Sequence, residues 1–179
     1  MDFNNRAKTT QLVKKQRGIG LIEILVAVIL VSIGFLAAAR MQVESMRFSQ
    51  SAYFQSQAYF LASDMINRMR TNTDGVEAGE YDNVTTDPAV MDQFCSAQAC
   101  DAAQIALQDI YDWSGYFYAR DANANFVPAL PSSEDIQAFA QVVPVDDQIY
   151  QVSLTWSEAI RGEEVAQSLS VNFALAQEQ

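Results

Sequence analysis

The chain has 179 residues, half of them hydrophobic, with 11 basic and 22 acidic residues, two cysteines and no histidine. A net charge of −11 argues against direct nucleic-acid binding, which needs a basic surface to meet phosphates. Without histidine there is no Ser-His or Cys-His pair for nucleophilic catalysis, and two sulfurs alone do not make a metal centre.

The chain opens on a basic segment, residues 1–18, with Arg6, Lys8, Lys14, Lys15 and Arg17 against the single acid Asp2. An apolar run follows from Ile19 to Ala39, 21 residues whose only clearly polar members are Glu23 and Ser32. At ~1.5 Å per residue a helix of that length crosses a ~30 Å hydrocarbon core. Basic residues stay on the cytoplasmic side of such a helix, which places the leader inside and the remainder in the periplasm.

A secretory signal peptide also has a basic head and an apolar body, and Ala37-Ala38-Ala39 could imitate its cleavage site. Its apolar core is shorter, about 7–15 residues, and it has no reason to carry a carboxylate at the cytoplasmic end. A simple signal anchor is the other alternative.

The junction Lys14-Lys15-Gln16-Arg17-Gly18-Ile19-Gly20-Leu21-Ile22-Glu23 resembles the class III leader of type IV prepilins. That resemblance implies cleavage after Gly18 by a prepilin peptidase, methylation of the new amino terminus at Ile19, and a role in assembly for Glu23, which would face the amino terminus of a neighbouring subunit. A carboxylate at the centre of a membrane helix costs about 2.5–3.5 kcal/mol, and buried acids of this kind usually have a partner. Snorkelling of Glu23 to the interface is the plainer alternative.

No Gly or Pro occurs between Phe35 and Thr73. Phe54, Ala58, Leu61, Met65 and Met69 recur at spacings of three and four, one apolar stripe. A continuous helix from about Ile19 to Arg70 is expected, residues 19–39 transmembrane and 40–70 periplasmic. Many pilins have a proline at the position of Arg40; here any bend would rest on Gly34. Residues 71–179 are enough for one small domain, and the Gly-, Asn-, Asp- and Thr-rich stretch from Thr71 to Pro88 reads as an irregular connector.

Cys95 and Cys100 read as a periplasmic disulfide. Positions five apart in a regular helix are too distant for a bridge, so a loop is required there. Asp101 can cap a helix, with Gln104 at the position of a capping box, and Ala102, Ala106, Ile110, Trp113 and Phe117 continue it at helical spacing. The expected helix runs from about Ala102 to Gly115. The last third changes period: Ala138 to Val145, Gln148 to Trp156 and Val165 to Ala174 read as strands, with Asp146-Asp147 as one turn and Ser157 to Glu164 as a connector. Tyr150, Val152, Leu154 and Trp156 alternate with Gln151, Ser153 and Thr155. The fold class is α+β, pilin-like, with a long N-terminal helix packed on a small antiparallel sheet of three strands.

Cys95-x4-Cys100 followed by Ala106, Asp109 and Trp113, together with the strand Tyr150-x-Val152-x-Leu154-x-Trp156, resembles the type IV pilus modification protein family PilV. The resemblance implies a minor pilin that takes part in initiating pilus assembly and supports twitching motility and adhesion. Its partners would be other minor pilins, the major pilin, the prepilin peptidase and the inner-membrane assembly platform. It implies no cofactor and no enzyme activity. A type II secretion minor pseudopilin would share the leader, Glu23 and fold, and a membrane-anchored periplasmic binding domain is the reading from another class.

Two motifs carry less. Asp121-Ala122-Asn123-Ala124-Asn125 begins like a calcium loop, yet Phe126 stands where glycine belongs and Ser132 where the bidentate Glu belongs. Asn83-Val84-Thr85 fits the N-glycosylation acceptor, which a bacterial-type leader gives little reason to expect. Without residues 1–18 the chain keeps 6 basic residues, all arginine, and 21 acidic ones, a net charge of −15, which keeps a secreted domain soluble.

Overall fold

The computed structural model describes residues 20–87, 90, 92, 95, 99–120, 125–146 and 148–174. Helix α1 runs unbroken over Leu21–Thr71, straight through Gly34 and along the Gly- and Pro-free stretch after it. Two compact units divide at Met46 and Arg47. In the first, every described residue is exposed, including Leu21, Ile22, Ile24, Leu25 and Phe35.

The second unit is an α+β domain. Its share of α1 buries Ala58, Leu61, Ala62, Met65, Ile66 and Met69, the 3–4 spacing of the apolar stripe, with Phe54 half-buried beside them. A five-residue helix α2 (Thr73–Glu77) and a two-residue strand β1 (Val84–Thr85) follow. Both lie in the stretch expected to be an irregular connector. Helix α3 covers Ala102–Ser114, then come β2 (Phe139–Asp146), β3 (Ile149–Ile160) and β4 (Glu163–Ala174).

The sheet is antiparallel with strands in the order β1-β2-β3-β4, so four strands stand where three were expected. β1 is short because its neighbour Thr86 takes over the ladder. The Thr86 backbone N–H donates to Ala140 O at 2.9 Å, and its Oγ1 accepts from Ala140 N at 2.8 Å. Val142, Tyr150, Val152, Leu154, Trp156 and Phe173 line the inner face and share one core cluster with α1, Ala106 and Trp113. The register shift between Pro144 and Asp146 is the irregularity expected where proline enters a strand.

β3 and β4 extend through the segment expected to be a connector and turn over Arg161-Gly162, Ile160 pairing with Glu163. Both turn residues have positive φ, 55° and 92°. That is the two-residue hairpin geometry matching the twist of the strands, and Gly162 adopts it without strain.

Candidate functional site

Glu23 lies in the first turn of α1. Its backbone N–H donates to Gly20 O at 3.0 Å, and that of Ile24 to the same oxygen at 3.4 Å, so the helix begins at Gly20. A carboxylate there faces the positive end of the helix dipole. The side chain makes no ion pair among the described residues. Gly18 and Ile19, the expected cleavage and methylation positions, lie outside the described residues, as do residues 121–124 of the calcium-like loop.

The surroundings of Glu23 are apolar and uncovered. Twelve large apolar side chains between Leu21 and Leu36 are 49–77% exposed. α1 is the one described helix long and apolar enough to cross a membrane, and none of its most apolar window is buried within the chain. Covering those side chains is worth about 1.5–3 kcal/mol each, roughly 20 kcal/mol or more together. Immersing one carboxylate at about 2.5–3.5 kcal/mol does not offset that. The segment therefore partitions into a lipid or protein environment and takes Glu23 with it.

In the second unit the polar residues are fasteners. The Asp101 carboxylate accepts from Gln104 N at 2.8 Å while Gln104 Oε1 accepts from Asp101 N at 3.2 Å, the expected capping box. Trp113 is fully buried and its Nε1 donates to Leu61 O at 3.1 Å, joining α3 to α1. Asp109 is the hub: it accepts from Arg68 Nη1 at 3.1 Å and from the Tyr81 hydroxyl at 2.6 Å. Arg68 also pairs with Asp64 at 3.0 Å and Asp112 at 3.7 Å. Burial works to lower the Arg68 pKa, but the bonds and charges of Asp64 and Asp109 outweigh it and leave it raised. Burial, then the bond to Asp109, pushes the Tyr81 phenol far above its ordinary range.

Asn72, at the end of α1, donates to Tyr81 Oη at 3.0 Å and to Ala102 O at 2.8 Å. Gly75 makes that approach possible, since a Cβ there would stand 2.5 Å from the Asn72 amide nitrogen and 3.1 Å from Ala102 O. Arg120 donates to the Tyr111 and Asp112 carbonyls at 3.0 and 2.8 Å, closing the C-terminal end of α3, where cations suit the helix dipole.

Cys95 and Cys100 form a disulfide, their Cα atoms 6.2 Å apart, just before α3 and outside any helix. Cys95 N donates to Gln108 Oε1 at 3.1 Å, which ties Cys95 to α3. The sequence singled out Asp101, Gln104, Ala106, Asp109, Trp113 and both cysteines. It did not point to Arg68, Asn72, Tyr81 or Arg120, which, apart from the local Arg68–Asp64 pair, bond to partners 8–41 residues away in the chain.

Residues 13–39 match the family model described as the prokaryotic N-terminal methylation motif. No curated protein and no solved structure matches the chain. The N-terminal segment is therefore that of a type IV pilin-like or pseudopilin protein, with a prepilin-type leader that implies processing by a prepilin peptidase and assembly with pilus-type machinery.

Proposed function

We propose that this prepilin-like chain is a minor pilin of the PilV kind, which takes part in initiating type IV pilus assembly and so supports twitching motility and adhesion. The observation that carries the proposal is the methylation-motif match over residues 13–39 on a helix whose first turn holds Glu23 and whose apolar surface is uncovered. In this reading residues 1–18 are a cytoplasmic leader removed after Gly18, and Ile19 becomes the methylated amino terminus. Residues 19–39 hold the precursor in the inner membrane and 40–70 continue into the periplasm with the domain of residues 71–179.

Glu23 then acts between subunits. A neighbour's Ile19 ammonium is the cation its carboxylate lacks among the described residues, and in a low-dielectric bundle the attraction is strong while desolvation takes back much of it. The pair sets register more than it adds affinity. Other minor pilins, the major pilin and the inner-membrane platform are its assembly partners, and the subunit is structural, not catalytic.

Sheared-filament fractions test this. Glu23→Ala is expected to insert and be cleaved normally yet to fall several-fold in filament content; normal incorporation would remove the pairing role. Deletion of the chain separates the two machines that use this leader. Loss of surface pili supports the pilus reading, and loss of exoprotein release with normal pili would assign the chain to a type II secretion pseudopilus.

A further inference from the structure

β2 ends its pairing with β3 at Phe139 opposite Thr155, and β3 runs on to Ile160. The chain ahead of β2 takes over that edge: Ser157 N donates to Pro131 O at 3.0 Å. Across from it, Arg47, Gln50, Ser51 and Phe54 stand three and four apart on one face of α1, where the apolar stripe gives way to polar residues. Between these walls lies a half-open cleft of about 220 Å³.

The strand wall is acidic and held in place. Trp156 Nε1 donates to Glu158 Oε1 at 2.7 Å, and the buried Ser157 donates from Oγ to Glu164 Oε2. Each carboxylate has one oxygen fixed by a neighbour, which orients the other. Arg47 brings a guanidinium to the same cleft. Among the described residues no ion pair joins Arg47 to Glu158 or to Glu164. Opposite charges therefore share one small space without neutralising each other.

We propose that this cleft binds a small zwitterion of the α-amino-acid class. The guanidinium can take a carboxylate through two parallel N–H bonds, and the two oriented carboxylates can accept from an ammonium. Phe54 and Pro131 supply apolar contact for the ligand's carbon atoms. A simple cation would be repelled by Arg47, and a simple anion by two carboxylates; a molecule carrying both signs satisfies all three groups. Volume sets the upper limit. Drug-sized ligands occupy roughly 300–1,000 Å³, so about 220 Å³ suits a single amino acid better than a peptide. Neither the leader nor Glu23 contributes to this cleft, and the inference stands apart from the assembly reading.

Scanning calorimetry of the full-length chain in detergent, with the standard L-amino acids added one at a time, tests it. At about 10 mM, some 100 times a Kd of about 0.1 mM, a bound amino acid should raise the melting temperature by several degrees. The most effective one is then titrated isothermally beside acetate and ethylammonium, which carry one charge each and should bind at least roughly tenfold more weakly. Arg47→Gln and Glu164→Gln should each cost roughly tenfold or more in affinity. Both side chains are exposed and glutamine can still accept from Ser157, so the ligand-free melting temperature should stay unchanged. No shift with any amino acid, equal binding of acetate or ethylammonium, or full affinity in either variant would overturn the proposal.

Discussion

Asp109→Ala should be among the most damaging single changes to the folded domain that touch no apolar core residue. It removes the acceptor for Arg68 Nη1 at 3.1 Å and for the Tyr81 hydroxyl at 2.6 Å. Hydrogen bonds to a charged group are worth about 1.5–3 kcal/mol each. The losses are unequal. Arg68 retains Asp64 at 3.0 Å and its side chain is 25% exposed, so it rehydrates in part; Tyr81 is fully buried and loses the one acceptor its proton has among the described residues. The sum is about 2–4 kcal/mol, which at the usual urea dependence of 1–3 kcal/mol per molar lowers the midpoint by about 1–2 M. Urea unfolding of the full-length chain in detergent, followed by tyrosine and tryptophan fluorescence, measures it. Tyr81→Phe alone should cost about 1.5 kcal/mol. Because the two residues share one bond, the double variant should lose about 1 kcal/mol less than the two singles together. A cost below about 1 kcal/mol for Asp109→Ala, or strict additivity, would refute the hub.

Tyr150 gives a pH dependence. Burial first, then the hydrogen bond to Asp82 at 3.0 Å and the charge of that carboxylate, push its pKa up to about 12. The folded state therefore holds the phenolic proton more tightly than the unfolded state, whose pKa is about 10. This contribution to stability is whole below pH ~10 and is lost as pH rises toward 12. Every lysine lies within residues 1–18, so tyrosines dominate this alkaline range, and Tyr150→Phe should flatten the fall of the melting temperature there; an unchanged slope would contradict it. Among the described residues the buried Ser153 Oγ has no hydrogen-bond partner, so Ser153→Ala should leave stability unchanged or raise it by up to about 1 kcal/mol, and a loss above 1 kcal/mol in urea would refute that. Replacing Cys95 and Cys100 by serine opens a six-residue loop and should cost on the order of 2 kcal/mol in the chain-entropy model. The same unfolding assay reads it, and no change on reduction would show that the bridge does not restrain the unfolded chain.

The parts of the fold legible in the sequence are those fixed by local chemistry. The stripe from Ala58 to Met69 is buried because its spacing matches the helix period, and Asp101 and Gln104 cap α3 because both partners lie within one turn. Alternation placed the inner face of β3 correctly at Tyr150, Val152, Leu154 and Trp156. Ser157 to Glu164 was misread because its charges hide a strand pairing that the backbone carries by itself. α2 and β1 were missed for a related reason: five and two residues show no period, and long-range partners, Asn72 with Ala102 and Thr86 with Ala140, hold them. Most of the residues that suggested PilV prove to be core or fastening residues. Ala106 and Trp113 are fully buried, and Asp109 binds Arg68 and Tyr81, so these residues fasten α3 to α1, a task any packed helix shares, and the family match itself is confined to residues 13–39. The Glu23 site was legible as a motif, but among the described residues its side chain makes no ion pair, and the partner proposed for it, a neighbour's amino terminus, lies outside a single chain.

Intact-mass and N-terminal analysis of the protein from cells with and without prepilin peptidase tests the central claim most directly. The account predicts a 161-residue product beginning with methylated Ile19, present only with the peptidase. A chain that keeps residues 1–18 in both strains, or one cut after Ala39, would contradict it and leave an anchored or secreted periplasmic domain.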